Sequence, residues 1–153
     1  MSIKTYAGIG NRVLPKGAEV LIKDAAERMN ALQYVCRTGG APGADALFEK
    51  YAQSSIVYLP WRGFNGHSSP AIVSSELDTY AMAVDFLRNI FDYFDAMDSK
   101  SQKFYVRNLF ILHGADLDSI VDRVIFYNTQ TTGGTVATIK MAKFMGIPVE
   151  NLA

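Results

Sequence analysis

Arg37-Thr38-Gly39-Gly40-Ala41-Pro42-Gly43-Ala44-Asp45 directly follows the apolar run Tyr34-Val35-Cys36. A short β-strand over 34–37 is therefore predicted to stop at Thr38-Gly39-Gly40, with Pro42-Gly43-Ala44-Asp45 opening a helix through Ala46, Leu47 and Tyr51. A strand that gives way to glycines and then to a helix start is half of a βαβ unit. The same order recurs at two other places in the chain. Ile3 to Ile9 reads as a strand running into Gly8-Ile9-Gly10-Asn11-Arg12. Val121 to Tyr127 reads as another, followed by the polar loop Asn128 to Thr132 and then Gly133-Gly134-Thr135.

Between these points the apolar pattern alternates in period. Ala18, Leu21, Ile22, Ala25, Ala26, Met29 and Leu32 recur at helical spacing. Ile56-Val57-Tyr58-Leu59 is a third strand, ended by Pro60, and the stretch 61–78 has no clear period. Helices are predicted near 79–96, 101–114 and 135–145, and Ile147-Pro148-Val149 is a last short strand. The strands are continuous apolar runs and alternate with helices. The expected fold class is α/β: a single Rossmann-like domain over 1–153, with a parallel sheet of about five strands covered by helices on both faces.

Composition narrows the function classes. In 153 residues, 15 Lys and Arg balance 15 Asp and Glu. A chain that neutralises many phosphates usually carries a basic excess, so nucleic acid is expected to be an unlikely partner. One cysteine, Cys36, excludes a disulfide framework and a CxxC metal site and points to a reducing compartment, hence a cytoplasmic location. No apolar run approaches the roughly 20 residues that span a bilayer, so no membrane partner is expected. His67 and His113 are far apart in sequence, and no metal or cofactor is assigned.

Glycine-rich turns after three parallel strands meet at the carboxyl edge of the sheet, where open α/β folds take ligands. Backbone N–H groups there approach a ligand closely, and the helix behind each turn favours a phosphate. The expected ligand-binding residues are Gly8, Ile9, Gly10, Asn11 and Arg12 on the first loop. Thr38, Gly39, Gly40, Ala41, Gly43, Ala44 and Asp45 follow on the second, and Asn128, Thr132, Gly133, Gly134 and Thr135 on the last. Thr132 or Thr135 is the expected cap of the final helix. Pro60 and Trp61 end the third strand at the same edge, where the only tryptophan is placed either to stack on a base or to cover the core. Neither GxxxxGK[ST] nor a complete GxGxxG is present, which argues against ATP hydrolysis and dinucleotide redox chemistry.

Tyr6-Ala7-Gly8-Ile9-Gly10-Asn11-Arg12, the Thr38–Asp45 motif, Tyr58-Leu59-Pro60-Trp61 and Gly133-Gly134-Thr135 together resemble the SLOG superfamily. That group includes DNA-processing protein A, YspA-like proteins and the Lonely Guy phosphoribohydrolases. The likeness is greatest to small phage- and prophage-encoded DprA-like members. The resemblance implies binding of a nucleotide or an NAD- or ADP-ribose-derived small molecule, held for sequestration or sensing, by a homo-oligomer. An apolar stripe, Phe86, Leu87, Ile90, Phe91 and Phe94, offers core packing or a self-association face.

Two alternatives accompany that reading. Lonely Guy enzymes cleave base from ribose phosphate with an arginine before the fourth strand and a glutamate after the second glycine motif. Arg107 matches the arginine, whereas Gly133-Gly134-Thr135-Val136-Ala137-Thr138 contains no acid. A nucleotide N-glycosidase would therefore use Arg107 with Asp45 or with Glu49, one turn further along the same helix. The remaining alternative is a DprA-like mediator of recombination that binds single-stranded DNA, disfavoured here by the neutral charge.

Overall fold

A computed structural model describes residues 3–153. Its elements run β1 (Thr5–Gly10), α1 (Ala18–Ala31), β2 (Val35–Thr38), α2 (Ala44–Tyr51), β3 (Ser55–Leu59), β4 (Ile72–Val73), α3 (Tyr80–Ile90), α4 (Ser99–His113), β5 (Arg123–Tyr127), α5 (Gly134–Phe144) and β6 (Val149–Asn151). All strand pairs are parallel, in the order β4-β3-β2-β1-β5-β6. The fold is the expected Rossmann-like α/β arrangement with one more strand than anticipated.

The apolar strands bury both faces. On β1, Tyr6 packs with α1 and α2 residues such as Ile22, Met29 and Phe48, while Ala7 and Ile9 join the opposite core with Leu109, Phe110 and Met141. On β5, Ile125 and Tyr127 face the first core, and Val124 and Phe126 the second. Period-two alternation survives as a choice between two apolar faces, so the sequence carries no polar phase. Cys36 lies fully buried in the α1/α2 core, and burial pushes its thiol up to about 12. That makes it a packing group at neutral pH.

Three departures have local causes. The sixth strand, β4, lies within the stretch 61–78 and pairs only Ile72 with Tyr58 and Val73 with Leu59. Two residues are too few to show a period. The helix expected over 79–96 ends at Ile90, and Phe94–Ala96 forms a separate 3-10 turn. Asp98 then caps α4 by accepting a hydrogen bond from the Ser101 N–H at 2.7 Å. Finally, α5 is preceded by Gly133 at the N-cap position, whose φ of 109° places it in the left-handed region, and neither Thr132 nor Thr135 caps the helix. The apolar stripe near 86–94 is mostly core: Leu87, Phe91 and Phe94 are buried, with Phe86 and Ile90 packed against the same cluster.

Candidate functional site

The chain order places β1 and β5 side by side, with β2 leading away on one side and β6 on the other. Loops leaving β1 and β5 diverge there and leave a crevice at the carboxyl edge of the sheet. A cavity of about 410 Å³ occupies it. Its walls are Ile9 to Val13 at and beyond the end of β1, Ala41 and Asp45 at the start of α2, and Gln130, Gly133, Gly134, Thr135 and Thr138 before and along the start of α5. The fourth wall comes from α4: Ser101, Phe104, Tyr105, Arg107 and Asn108.

Asn11 fastens the loops together. Its Nδ2 donates to Thr129 Oγ1 at 2.8 Å, its backbone N–H donates to the Tyr127 carbonyl at 2.9 Å, and its own carbonyl accepts from the Ala44 N–H at 2.9 Å. This last bond draws the start of α2 against the β1 loop. Gly43 permits it: with φ of 80°, its α-carbon faces the Asn11 and Arg12 carbonyls so closely that a Cβ has no room.

Arg107 and Asp45 are both about 5% exposed. Arg107 Nε donates to Asn108 Oδ1 at 2.7 Å, and its Nη1 donates to the Gly39 carbonyl and to the Tyr58 carbonyl. Among the described residues Nη2 forms no hydrogen bond. Burial lowers the guanidinium to about 10, with Asp45 opposing that shift and Arg12 adding to it. Burial raises the Asp45 carboxyl to about 6, against the pull of Arg107 and of the Ala41 and Gly39 N–H groups. Desolvation outweighs the attraction for both groups, as expected where opposite charges are buried without a close ion pair.

Arg12 is exposed and makes no ion pair among the described residues. Its guanidinium carbon lies 5.1 Å from the Phe104 ring centre and 5.8 Å from that of Phe64. Arg107 lies 5.6 Å from each of the same two rings. Two cations thus share an aromatic pair at one cavity wall, the buried Arg107 in a desolvated setting where cation–π attraction is largest and Arg12 at its exposed rim. The first turn of α5 has no side-chain cap, and its Gly133, Gly134 and Thr135 line the same cavity.

Of the residues singled out from sequence, Ile9, Gly10, Asn11, Arg12, Ala41, Asp45, Arg107, Gly133, Gly134 and Thr135 line the cavity. Gly8, Thr38, Gly39, Gly40, Gly43 and Ala44 sit behind the wall. Gly8 lies against the Phe48 ring, and the Thr38 hydroxyl donates to the Gly8 carbonyl at 2.6 Å. Pro60 and Trp61 are outside the lining, although Trp61 leans on Phe104 with ring centres 5.0 Å apart. Asn128 and Thr132 are also outside, and Asn128 Nδ2 braces the loop by donating to the Gln130 carbonyl at 2.8 Å. Glu49 is not brought to Arg107 and Asp45. Its two carboxylate oxygens each lie 3.1 Å from His67 Nε2, tying α2 to the 61–78 stretch.

The reading from sequence missed Ser101, Phe104, Tyr105 and Asn108. They stand at i, i+3, i+4 and i+7, one helical face mixing polar and aromatic groups beside Arg107. That spacing was the available signal.

No family model and no curated protein matches the chain. Among solved structures it is similar to DNA processing protein A from Helicobacter pylori, described as having a unique single-stranded DNA binding mode. The two share 18% identity and superpose with a TM-score of 0.63, over 97% of this chain and 64% of the other. The likeness is one of fold, and this chain spans less than two thirds of that protein's length. It still corrects the expectation that nucleic acid is an unlikely partner. A protein of this fold is described as binding single-stranded DNA, which stands against that expectation. No helix among the described residues is long and apolar enough to cross a membrane.

Proposed function

We propose that this protein binds single-stranded DNA and holds one nucleotide of the strand in the cavity between the β1 and β5 loops. The observation that carries the reading is the cation pair on one aromatic wall, Arg12 and Arg107 over Phe104 and Phe64. Arg12 has a free N–H fork for a phosphate, and the open first turn of α5 supplies backbone donors for the same anion. Tyr105 and the edge of Phe104 offer an apolar surface to the base. A volume of about 410 Å³ falls in the range of small-ligand sites and suits one nucleotide unit. The fold likeness to a protein described as binding single-stranded DNA supports the same choice.

Few cations face the cavity, so few counterions are released and the affinity comes largely from stacking and local donors. The test is anisotropy of a labelled oligothymidylate at 50 and 200 mM salt, with duplex DNA of the same length as competitor. Single-strand binding that weakens modestly with salt and resists duplex competition is expected. Equal affinity for a free nucleoside monophosphate and for the oligomer would instead make the cavity a nucleotide pocket with no strand specificity. Absence of binding to either at the lower salt overturns the proposal.

A further inference from the structure

Phe104 has two sides. One belongs to the cavity, and the other meets Trp61, whose ring centre is 5.0 Å from Phe104 and 5.4 Å from Phe64. Trp61 is only half-buried, so part of the indole remains at the surface immediately beyond the cavity wall. Lys100 Nζ lies 6.0 Å from its ring centre, and the Lys100 side chain is exposed. The neighbouring cation Arg62 is engaged elsewhere, with Nε 2.9 Å from Glu76 Oε2. An aromatic face with an available cation, separated from the cavity by a single ring, adjoins the site on this side. The opposite rim, formed by the Asn128–Thr132 loop, carries neither an aromatic nor a basic residue.

We propose that Trp61 and Lys100 form a second subsite, in which the base next to the one in the cavity stacks on the indole while Lys100 meets the intervening phosphate. The inference rests on the strand-binding reading above and adds a direction to it: the strand leaves the cavity over Phe104 towards the start of α4. Every base presents a π-face, so this subsite adds affinity with chain length and little sequence preference. Its occupant is a continuous strand, since a mononucleotide seated in the cavity does not reach across Phe104.

Trp61 is the chain's only tryptophan, so tryptophan fluorescence reports on the surroundings of this one indole. Wild-type protein is titrated with thymidine monophosphate, the dinucleotide and the hexanucleotide, and binding is followed in parallel by ligand-observed NMR. Quenching is expected with the dinucleotide and hexanucleotide and not with the monophosphate. Trp61→Ala is expected to weaken hexanucleotide binding on the order of tenfold while leaving monophosphate binding unchanged, and Trp61→Phe to restore most of the loss. A hexanucleotide that binds through Arg12 with silent fluorescence, and with Trp61→Phe and Trp61→Ala both neutral, overturns the subsite and leaves the cavity reading standing. Failure of wild-type protein to bind the hexanucleotide overturns both. If Trp61→Ala loses the native circular dichroism spectrum, the fluorescence titration and Trp61→Phe decide the matter.

Discussion

Arg107 and Asp45 close on the same point from opposite directions. A Cβ at Gly39 would sit 2.7 Å from Arg107 Nη1 and 2.7 Å from Asp45 Oδ2. The second residue of the sequence's most distinctive glycine pair, Gly40, lies against Leu59 instead. Gly39 thus serves the site from behind, by giving a buried guanidinium and a buried carboxyl room to face the cavity.

Gly39→Ala is therefore expected to destabilise the fold by about 1–3 kcal/mol, the usual cost of overfilling a packed interior. It should also weaken oligonucleotide binding by displacing Arg107. Gly134→Ala provides the contrast, because its nearest neighbour would be Asn108 Nδ2 at 3.7 Å, an ordinary contact. Its stability should stay within about 0.5 kcal/mol of wild type. Urea denaturation of the two variants checks the difference, and equal midpoints would show that the Gly39 site can relax.

Arg12→Ala should leave the fold intact, since the exposed side chain forms no ion pair among the described residues. Its affinity for oligothymidylate should fall roughly tenfold, as for loss of one charge-assisted hydrogen bond. The plot of log affinity against log salt should become shallower by about 0.7, one single-strand phosphate contact. Unchanged slope with reduced affinity would mean that Arg12 acts on the base and not on the phosphate.

The fold was legible because most strands are runs such as Tyr34-Val35-Cys36 or Val124-Ile125-Phe126 that end at glycine, proline or a polar loop. Period and punctuation agree there. β4 was not legible, because Ile72 and Val73 become a strand only by pairing with Tyr58 and Leu59, a tertiary event. Within the site, the β1 and α5 loops could be read from glycines that open helices beside strands. Of the α4 wall only Arg107 was read: Phe104 and Tyr105, though on one helical face with it, look like core residues until the chain order brings α4 across the β1–β5 crevice. Glu49 failed for a related reason. Its helical spacing from Asp45 is as expected, but His67, eighteen positions away, draws the carboxylate elsewhere.

Glu49→Gln tests that reassignment. The change removes the charge facing His67 and touches no residue of the cavity, so oligonucleotide affinity should stay within about twofold of wild type, less than 0.5 kcal/mol. Amide exchange should accelerate around residues 63–67, where the Gly66 N–H donates to the Gly63 carbonyl and the His67 N–H to that of Phe64. A large loss of binding would place Glu49 in the site despite its distance from the lining.

Asp45 gives the site a pH dependence whose sign can be worked out. Burial raises its carboxyl from 3.8 to about 6, so the folded protein takes up this proton more readily than the unfolded chain. Stability is therefore unpenalised below about 4, falls as the pH rises towards 6, and stays lower above that, by on the order of 1–3 kcal/mol. Binding follows the same sign. Above pH 6 the carboxylate opposes an incoming phosphate and offsets Arg12 and Arg107. Below it the neutral acid does not, and Arg107, lowered only to about 10, keeps its charge. Neither a phosphodiester nor thymine titrates between pH 5 and 7, so a change in oligothymidylate affinity across that range belongs to the protein. Affinity should rise severalfold from pH 7 to pH 5 at constant ionic strength, and Asp45→Asn should be flat across the same interval. A slope that persists in Asp45→Asn would assign the titration to another group and overturn this account of the site.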